Sequence, residues 1–130
     1  MSAQPGDMVQ IRSKEVPLPE FPASVVAIDD TTLEVLSTIL VPFHHSGKFK
    51  LAEIEYIVVY PAEVAVEQET GFKVGTDIQT RLPVDGKVRV GTAHCGFDRI
   101  LVIKLPDGQL LTGGASHFEK AEYNGAEVFL

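Results

Sequence analysis

Short runs of β-branched residues, repeatedly interrupted by glycine and proline, are the feature that most constrains the fold of this chain. Valine, isoleucine and threonine contribute 16, 8 and 8 of the 130 residues, and 11 glycines and 8 prolines are scattered among them. β-Branched side chains pack well on a pleated sheet and lose rotamer freedom in a helix. Frequent glycine and proline also prevent long helices. The pattern therefore predicts many short strands joined by turns.

Ten segments have the composition of strands. They are residues 8–13, 24–28, 33–41, 49–60, 62–67, 77–82, 87–90, 100–105, 109–112 and 127–130. The sequence Pro106-Asp107-Gly108 between two of them is typical of a tight hairpin. At most one short helix is expected, within 31–40 or 116–121. Residues 31–34 match a capping box, but several of the following residues are β-branched, and we favour a strand there.

The predicted fold is all-β, in one compact domain covering residues 1–130. It is either a small barrel or two fused SH3-like small barrels. Residues 6–11 and 85–90 are each a turn followed by an alternating strand, and this repeated opening resembles that of SH3-like barrels at the level of fold. The repeat predicts two sub-units, 1–70 and 71–130.

Charge and cysteine content narrow the classes of partner and the compartment. The formal charge is −7, and an acidic chain is repelled by phosphate backbones and by anionic membrane surfaces. No apolar run is long enough for a membrane span, and the first residues lack the pattern of a secretory signal. The single cysteine, Cys95, excludes an internal disulfide. These features predict a cytoplasmic protein in a reducing environment.

The familiar motifs of phosphate binding and hydrolysis are absent from the sequence, so no catalytic residue is assigned. Candidate ligand-binding residues occur in segments that we interpret as glycine-bearing loops: His94, Cys95, Arg99 and His117. Imidazole nitrogens are common metal ligands, so a divalent metal site is an alternative. Its candidate ligands are His44, His45, His94 and His117. No other cofactor is predicted.

The sequence favours a non-enzymatic module that binds a protein partner or itself, because strands have edges that must be paired or protected. A homo-oligomer is expected, and the apolar segment 127–130 is a candidate for strand addition to a neighbouring subunit. A small-ligand or metal-dependent barrel enzyme that uses the loop histidines is the alternative. A third hypothesis, nucleic-acid binding, is disfavoured by charge and requires clustering of Arg81, Lys87, Arg89, Arg99 and Lys104.

Overall fold

The computed structural model describes residues 3–14, 20–37, 46–84 and 86–121 of the chain. In these ranges ten strands form two antiparallel sheets of five strands each, and one α-helix connects them. The prediction of a mostly β fold of small units with at most one short helix is confirmed. No helix in the described ranges is long and apolar enough to cross a membrane.

The first sheet contains the first five strands of the chain. They are β1 (Met8–Ser13), β2 (Phe21–Ile28), β3 (Thr32–Leu36), β4 (Ser46–Lys50) and β5 (Ile54–Tyr60). A 3₁₀ turn, Leu51–Glu53, separates β4 from β5. The spatial order is β4-β3-β2-β1-β5, so four successive strands pair in sequence and the fifth returns to pair with the first.

The second sheet follows the helix α1 (Ala62–Thr70). Its strands are β6 (Asp77–Thr80), β7 (Val90–Phe97), β8 (Ile100–Lys104), β9 (Leu110–Gly114) and β10 (Phe118–Lys120). A 3₁₀ turn, Ala115–His117, precedes β10. The spatial order β10-β6-β7-β8-β9 has the same connectivity as the first sheet, with the fifth strand again pairing with the first.

The repeated connectivity gives the predicted sub-units 1–70 and 71–130 a topological basis, although that division stays a prediction. Each sheet takes all its strands from one side of residue 70. The equivalent of β1 in the second sheet is β6, its first strand. The sequence repeat paired residues 6–11, which include the start of β1, with residues 85–90, which lead into β7. It therefore matched β1 to β7 and not to its topological equivalent β6.

Three groups of buried apolar side chains hold the molecule together. One group lies within the first sheet and includes Val9, Ile11, Val25 and Val35. A second lies within the second sheet and includes Ile78, Leu101, Ile103 and Phe118. The third joins the two sheets and the helix, and it consists of Met8, Val26, Leu36, Ala65, Cys95, Phe97 and Val102. Because this third group is buried as well, the two sheets pack directly on one another.

Polar contacts fix the junction between the two sheets. The Nε2 atom of His94 lies 2.8 Å from the Val26 carbonyl oxygen. The Gly96 N–H donates to Ser24 Oγ at 3.2 Å. The buried Asp7 carboxylate accepts a hydrogen bond from the Ala62 N–H at the start of α1, at 2.9 Å. Side chains and backbone of one sheet therefore satisfy polar groups of the other sheet and of the helix.

The predicted positions of the helix were wrong. Residues 62–67, expected as a strand, belong to α1, and 118–120 form β10. Residues 32–36 form β3, which confirms the strand that was favoured over a helix there. In residues 62–67, alanine, glutamate and glutamine favour a helix. Asp7, which precedes β1, accepts a hydrogen bond from the first N–H of the helix, and Gly71 ends the helix with a φ of 87°. The apolar pattern of residues 62–67 cannot reveal a cap that a residue far away in the sequence provides.

Other expectations were wrong in detail. Residues 91–96, interpreted as a loop, belong to the central strand β7, and residues 49–60 are two strands separated by a 3₁₀ turn. Within 87–90 only Val90 belongs to a strand. The apolar residues of the predicted strands are expected to form the core, but Val58, Val88 and Val90 are exposed. The predicted strand 127–130 and the last four residues, 38–41, of the predicted strand 33–41 lie outside the described residues.

Candidate functional site

Two of the candidate ligand-binding residues, His94 and Cys95, lie at the junction between the sheets. The His94 ring is half-buried against the Val26 carbonyl group. Cys95 is 0% exposed, and its burial raises the pKa of the thiol to about 12, although a hydrogen bond with Ser24 opposes this rise. The thiol is therefore protonated near neutral pH and acts as a small apolar side chain in the packing.

Arg99 lies in the tight turn between β7 and β8. Asp98 and Arg99 have positive φ angles of 51° and 68°, as a two-residue hairpin of this kind requires. The turn is anchored to the end of α1, because the Arg99 N–H donates to the Glu69 carbonyl oxygen at 2.8 Å. The Arg99 side chain lines a shallow depression together with Glu67, Glu69 and Asp98. Three acidic residues therefore line the same depression as Arg99.

The remaining candidate metal ligands are dispersed. His117 is exposed in the 3₁₀ turn before β10, and His94 is half-buried between the sheets. His44 and His45 lie outside the described residues. Among the residues that the structure describes, no group of three or more histidine, cysteine, aspartate or glutamate side chains could hold a metal ion.

A concave surface beside His117 forms a groove, which we call the β9 groove. Its volume is about 550 Å³, within the usual range for ligand sites. One wall is the loop after β6, and the other is formed by β9, the 3₁₀ turn and β10. Its lining residues are Thr80, Arg81, Leu82, Pro83, Val84, Leu111, Thr112, Gly113, Ser116, His117 and Phe118.

Backbone contacts hold both walls of the β9 groove in place. The Arg81 N–H donates to the His117 carbonyl oxygen at 2.9 Å, which ties the loop to the 3₁₀ turn. Val84 and Lys87 exchange backbone hydrogen bonds of 2.8 and 3.2 Å, which close the loop on itself. Phe118 packs close to Gly113, where a Cβ would lie 3.2 Å from its ring. The groove is therefore formed by the fold itself and needs no ligand to shape it.

A different kind of surface occurs at the edge strand β5. Ile57 is 65% exposed, and Val58, Val59 and Tyr60 are also well exposed, as is Val64 in the adjoining helix. Among the described strands, β5 pairs with β1 alone, so it forms one edge of the first sheet. Its pairing with β1 is regular from Ile54 to Val58, and a register shift follows. No strand of the described residues pairs with the outer side of this regular run.

The other three edge strands in the described ranges carry features that discourage strand addition. β4 contains Lys48 and Lys50, β10 has only three residues and two of them are charged, and β9 ends in Gly113 and Gly114. Lysines, short length and poor strand formers are the usual protection of sheet edges. β5 is seven residues long and contains one charged residue, Glu55. It is therefore the least protected edge.

Sequence reasoning found His117 beside the groove but missed the groove itself. The apolar pair Leu82-Pro83 in a loop was a usable signal, since Leu82 is 73% exposed. The uncharged run from 56 to 62 was a similar signal for the β5 edge. Neither signal identifies a surface without the strand order, because exposure at an edge depends on which strands pair.

Comparison with known proteins adds little. No family model and no curated protein matches the chain. Among solved structures, one described as the crystal structure of Arabidopsis thaliana AGDP1 AGD34 is similar over 91% of this chain and 82% of its own chain, with 16% sequence identity and a TM-score of 0.34. A likeness this weak carries no argument about function.

Proposed function

We propose that the chain is a non-enzymatic assembly module, and that it pairs with a second copy of itself through the edge strand β5. The observation that supports this most directly is the row of exposed apolar side chains on the least protected edge in the described structure. Long, apolar, unpaired edges readily accept another strand, because backbone N–H and C=O groups along them have no partner strand.

A second copy fits this edge in composition. An added strand must be apolar and must favour extended structure, and β5 itself, with two valines, two isoleucines and two tyrosines, meets both requirements. Two antiparallel copies of β5 present the same patch to each other, as a two-fold interface requires. Aromatic and β-branched side chains also form favourable cross-strand pairs.

Local charge does not oppose the pairing, although each chain carries −7 overall. Glu55, the one charged residue of β5, forms an ion pair with Arg12 on the neighbouring strand. The hydrogen bond from Arg12 lowers the pKa of the Glu55 carboxyl group, so the pair stays ionised and compensated near neutral pH. The next seven residues, 56–62, are uncharged.

Sedimentation velocity over a range of concentrations tests the proposal. A single pair of strand edges is smaller than a standard interface, so a dissociation constant of roughly 1–100 µM is expected. The average mass should rise from one chain toward two chains. Ile57→Lys should keep the protein monomeric, because a lysine at an exposed edge position blocks strand addition without disturbing the core.

Leu110→Lys is the matched control. Like Ile57, Leu110 is an exposed aliphatic residue on an edge strand, but that strand, β9, belongs to the other sheet. This variant should associate like the unmodified protein. A protein that stays monomeric up to about 1 mM contradicts self-assembly. Equal loss of association in both variants would also contradict it, because the effect would then come from charge rather than from the β5 edge.

A further inference from the structure

We propose that the β9 groove is a second binding site, separate from the β5 edge, and that it takes an extended peptide segment whose apolar side chains are accompanied by a carboxylate. The groove lies on the second sheet, whereas β5 is an edge of the first. The two sites can therefore be tested and altered independently.

The floor of the groove provides apolar contact. Phe118 is buried beneath it, and Leu111 packs partly against the same core group. On the facing wall Leu82 is 73% exposed and is followed by Pro83, so this apolar side chain borders the groove without being covered by the described residues. Burial of such a side chain by a ligand removes apolar surface from water, which favours binding.

The polar groups at the groove select the charge of the ligand. Among the described lining residues, the ionisable side chains are the guanidinium of Arg81 and the imidazole of His117, and there is no carboxylate. This contrasts with the acidic excess of the whole chain and with the carboxylates around Arg99. A ligand carboxylate is therefore attracted to the β9 groove and disfavoured at the depression that Arg99 lines.

The donors of Arg81 are only lightly engaged. Its Nη1 atom lies 3.4 Å from Glu119 Oε1, a long and exposed contact, and Gln79 Nε2 donates to the other oxygen of Glu119 at 2.6 Å. Exposed ion pairs of this kind contribute little to stability, so a ligand carboxylate can compete for the guanidinium. The planar guanidinium also suits a carboxylate better than an ammonium group would.

An extended peptide fits the shape of the site better than a small enclosed ligand does. Leu82, Thr112, Ser116 and His117 all border the groove and are exposed, so it is open to solvent along its length. A peptide can place side chains along such a surface and keep its backbone hydrated. Since both walls are already held by backbone hydrogen bonds, binding costs little rearrangement of the protein.

Selection from a phage-displayed library of random short peptides against the whole chain tests the inference. Enriched peptides should combine apolar residues with glutamate or aspartate. Measured with synthetic versions of these peptides, Leu82→Ser should weaken binding by about tenfold, because the exposed leucine is lost. Arg81→Gln should weaken it by about threefold. Leu110→Ser, outside the groove, should leave the affinity unchanged.

A charge exchange separates recognition from a merely structural role of Arg81. Arg81→Glu should reject the selected peptides and accept their counterparts in which lysine replaces the acidic residue. Absence of enrichment, enrichment of basic peptides, or full binding to Leu82→Ser would each overturn the inference. Ile57→Lys should bind the peptides normally, because Ile57 lies outside the groove. Peptide binding and self-assembly can therefore each fail without affecting the result for the other.

Discussion

Replacement of Gly96 by alanine tests how closely α1 packs on the second sheet. A Cβ atom at this position would lie 2.1 Å from Thr70 Cγ2 and 2.9 Å from the Ile100 carbonyl oxygen. Thr70 is buried, and its Oγ1 donates to the Val66 carbonyl oxygen at 2.7 Å. Because one neighbour is fixed by this bond and the other is backbone, rotation of a side chain alone cannot relieve the overlap.

The expected loss of stability in Gly96→Ala follows from these distances. Overpacking of a close-packed core costs about 1–3 kcal/mol, and the helix must move away from β7 to accept the methyl group. For a chain of 130 residues, each kcal/mol lowers the melting temperature by roughly 4 °C. Gly96→Ala should therefore lower the melting temperature by about 4–12 °C.

Thermal and urea unfolding of a double-mutant cycle provide the assay. Thr70→Ser removes Cγ2 but keeps the hydroxyl group that bonds to Val66. The double variant should regain part of the loss, with a coupling of at least about 0.5 kcal/mol, while the contact with Ile100 remains. Unchanged stability of Gly96→Ala, or strictly additive losses in the double variant, would refute the packing described for this junction.

Three further predictions concern ionisable groups. Asp7→Ala should lower the free energy of unfolding in urea by about 1–3 kcal/mol, because the Ala62 N–H at the start of α1 loses its acceptor, whereas Asp7→Asn should cost less. Folded Cys95, with its pKa raised to about 12, keeps a proton that the unfolded chain releases near pH 9. Stability should therefore fall between pH 9 and 12 by up to about 1.4 kcal/mol per pH unit, a slope that Cys95→Ala should lack in otherwise identical urea titrations. Backbone N–H groups of Thr31 and Thr32 lower the pKa of Asp29, so its stabilising contribution is present above its unfolded pKa near 3.8 and is lost as the pH falls through the folded pKa. Asp29→Asn should accordingly flatten the acid side of the melting-temperature profile, and an unchanged profile would contradict this assignment.

The sequence was a good guide where local pattern and turn chemistry decide the structure. β1 has the predicted bounds, and the Pro106-Asp107-Gly108 turn joins β8 to β9 with a φ of 90° at Gly108. Alternating apolar residues need only a neighbouring strand to become buried, and tight turns bring that neighbour from nearby in the chain.

Contacts between distant segments explain the elements that were missed. Gly91 and Gly96 flank His94 and Cys95 in a segment that was interpreted as a loop. They lie instead within β7, where other backbone or side-chain atoms approach them closely. A Cβ on Gly91 would be 2.5 Å from the Lys104 carbonyl oxygen. Helix α1 likewise depends on a cap from Asp7, which is far from it in sequence. Composition alone does not distinguish a glycine in a turn from one at a close approach.

The positions of the candidate sites also depend on contacts between distant segments of the chain. His94 and His117 were grouped because both follow glycines, yet the fold places one between the sheets and the other beside the β9 groove. The groove combines residues 80–84 with residues 111–118, and their proximity depends on strand order rather than on spacing in the chain. The expectation of a protein-binding strand edge stays a prediction, because the segment named for it, 127–130, lies outside the described residues.

Amide hydrogen exchange at two protein concentrations tests the central proposal most directly. If two chains pair through β5, amides in Ile54–Tyr60 should become more protected at the higher concentration, while those of the lysine-bearing edge strand β4 should exchange at the same rate under both conditions. Protection of β5 that does not depend on concentration would contradict self-pairing at this edge, and so would an equal increase in β4.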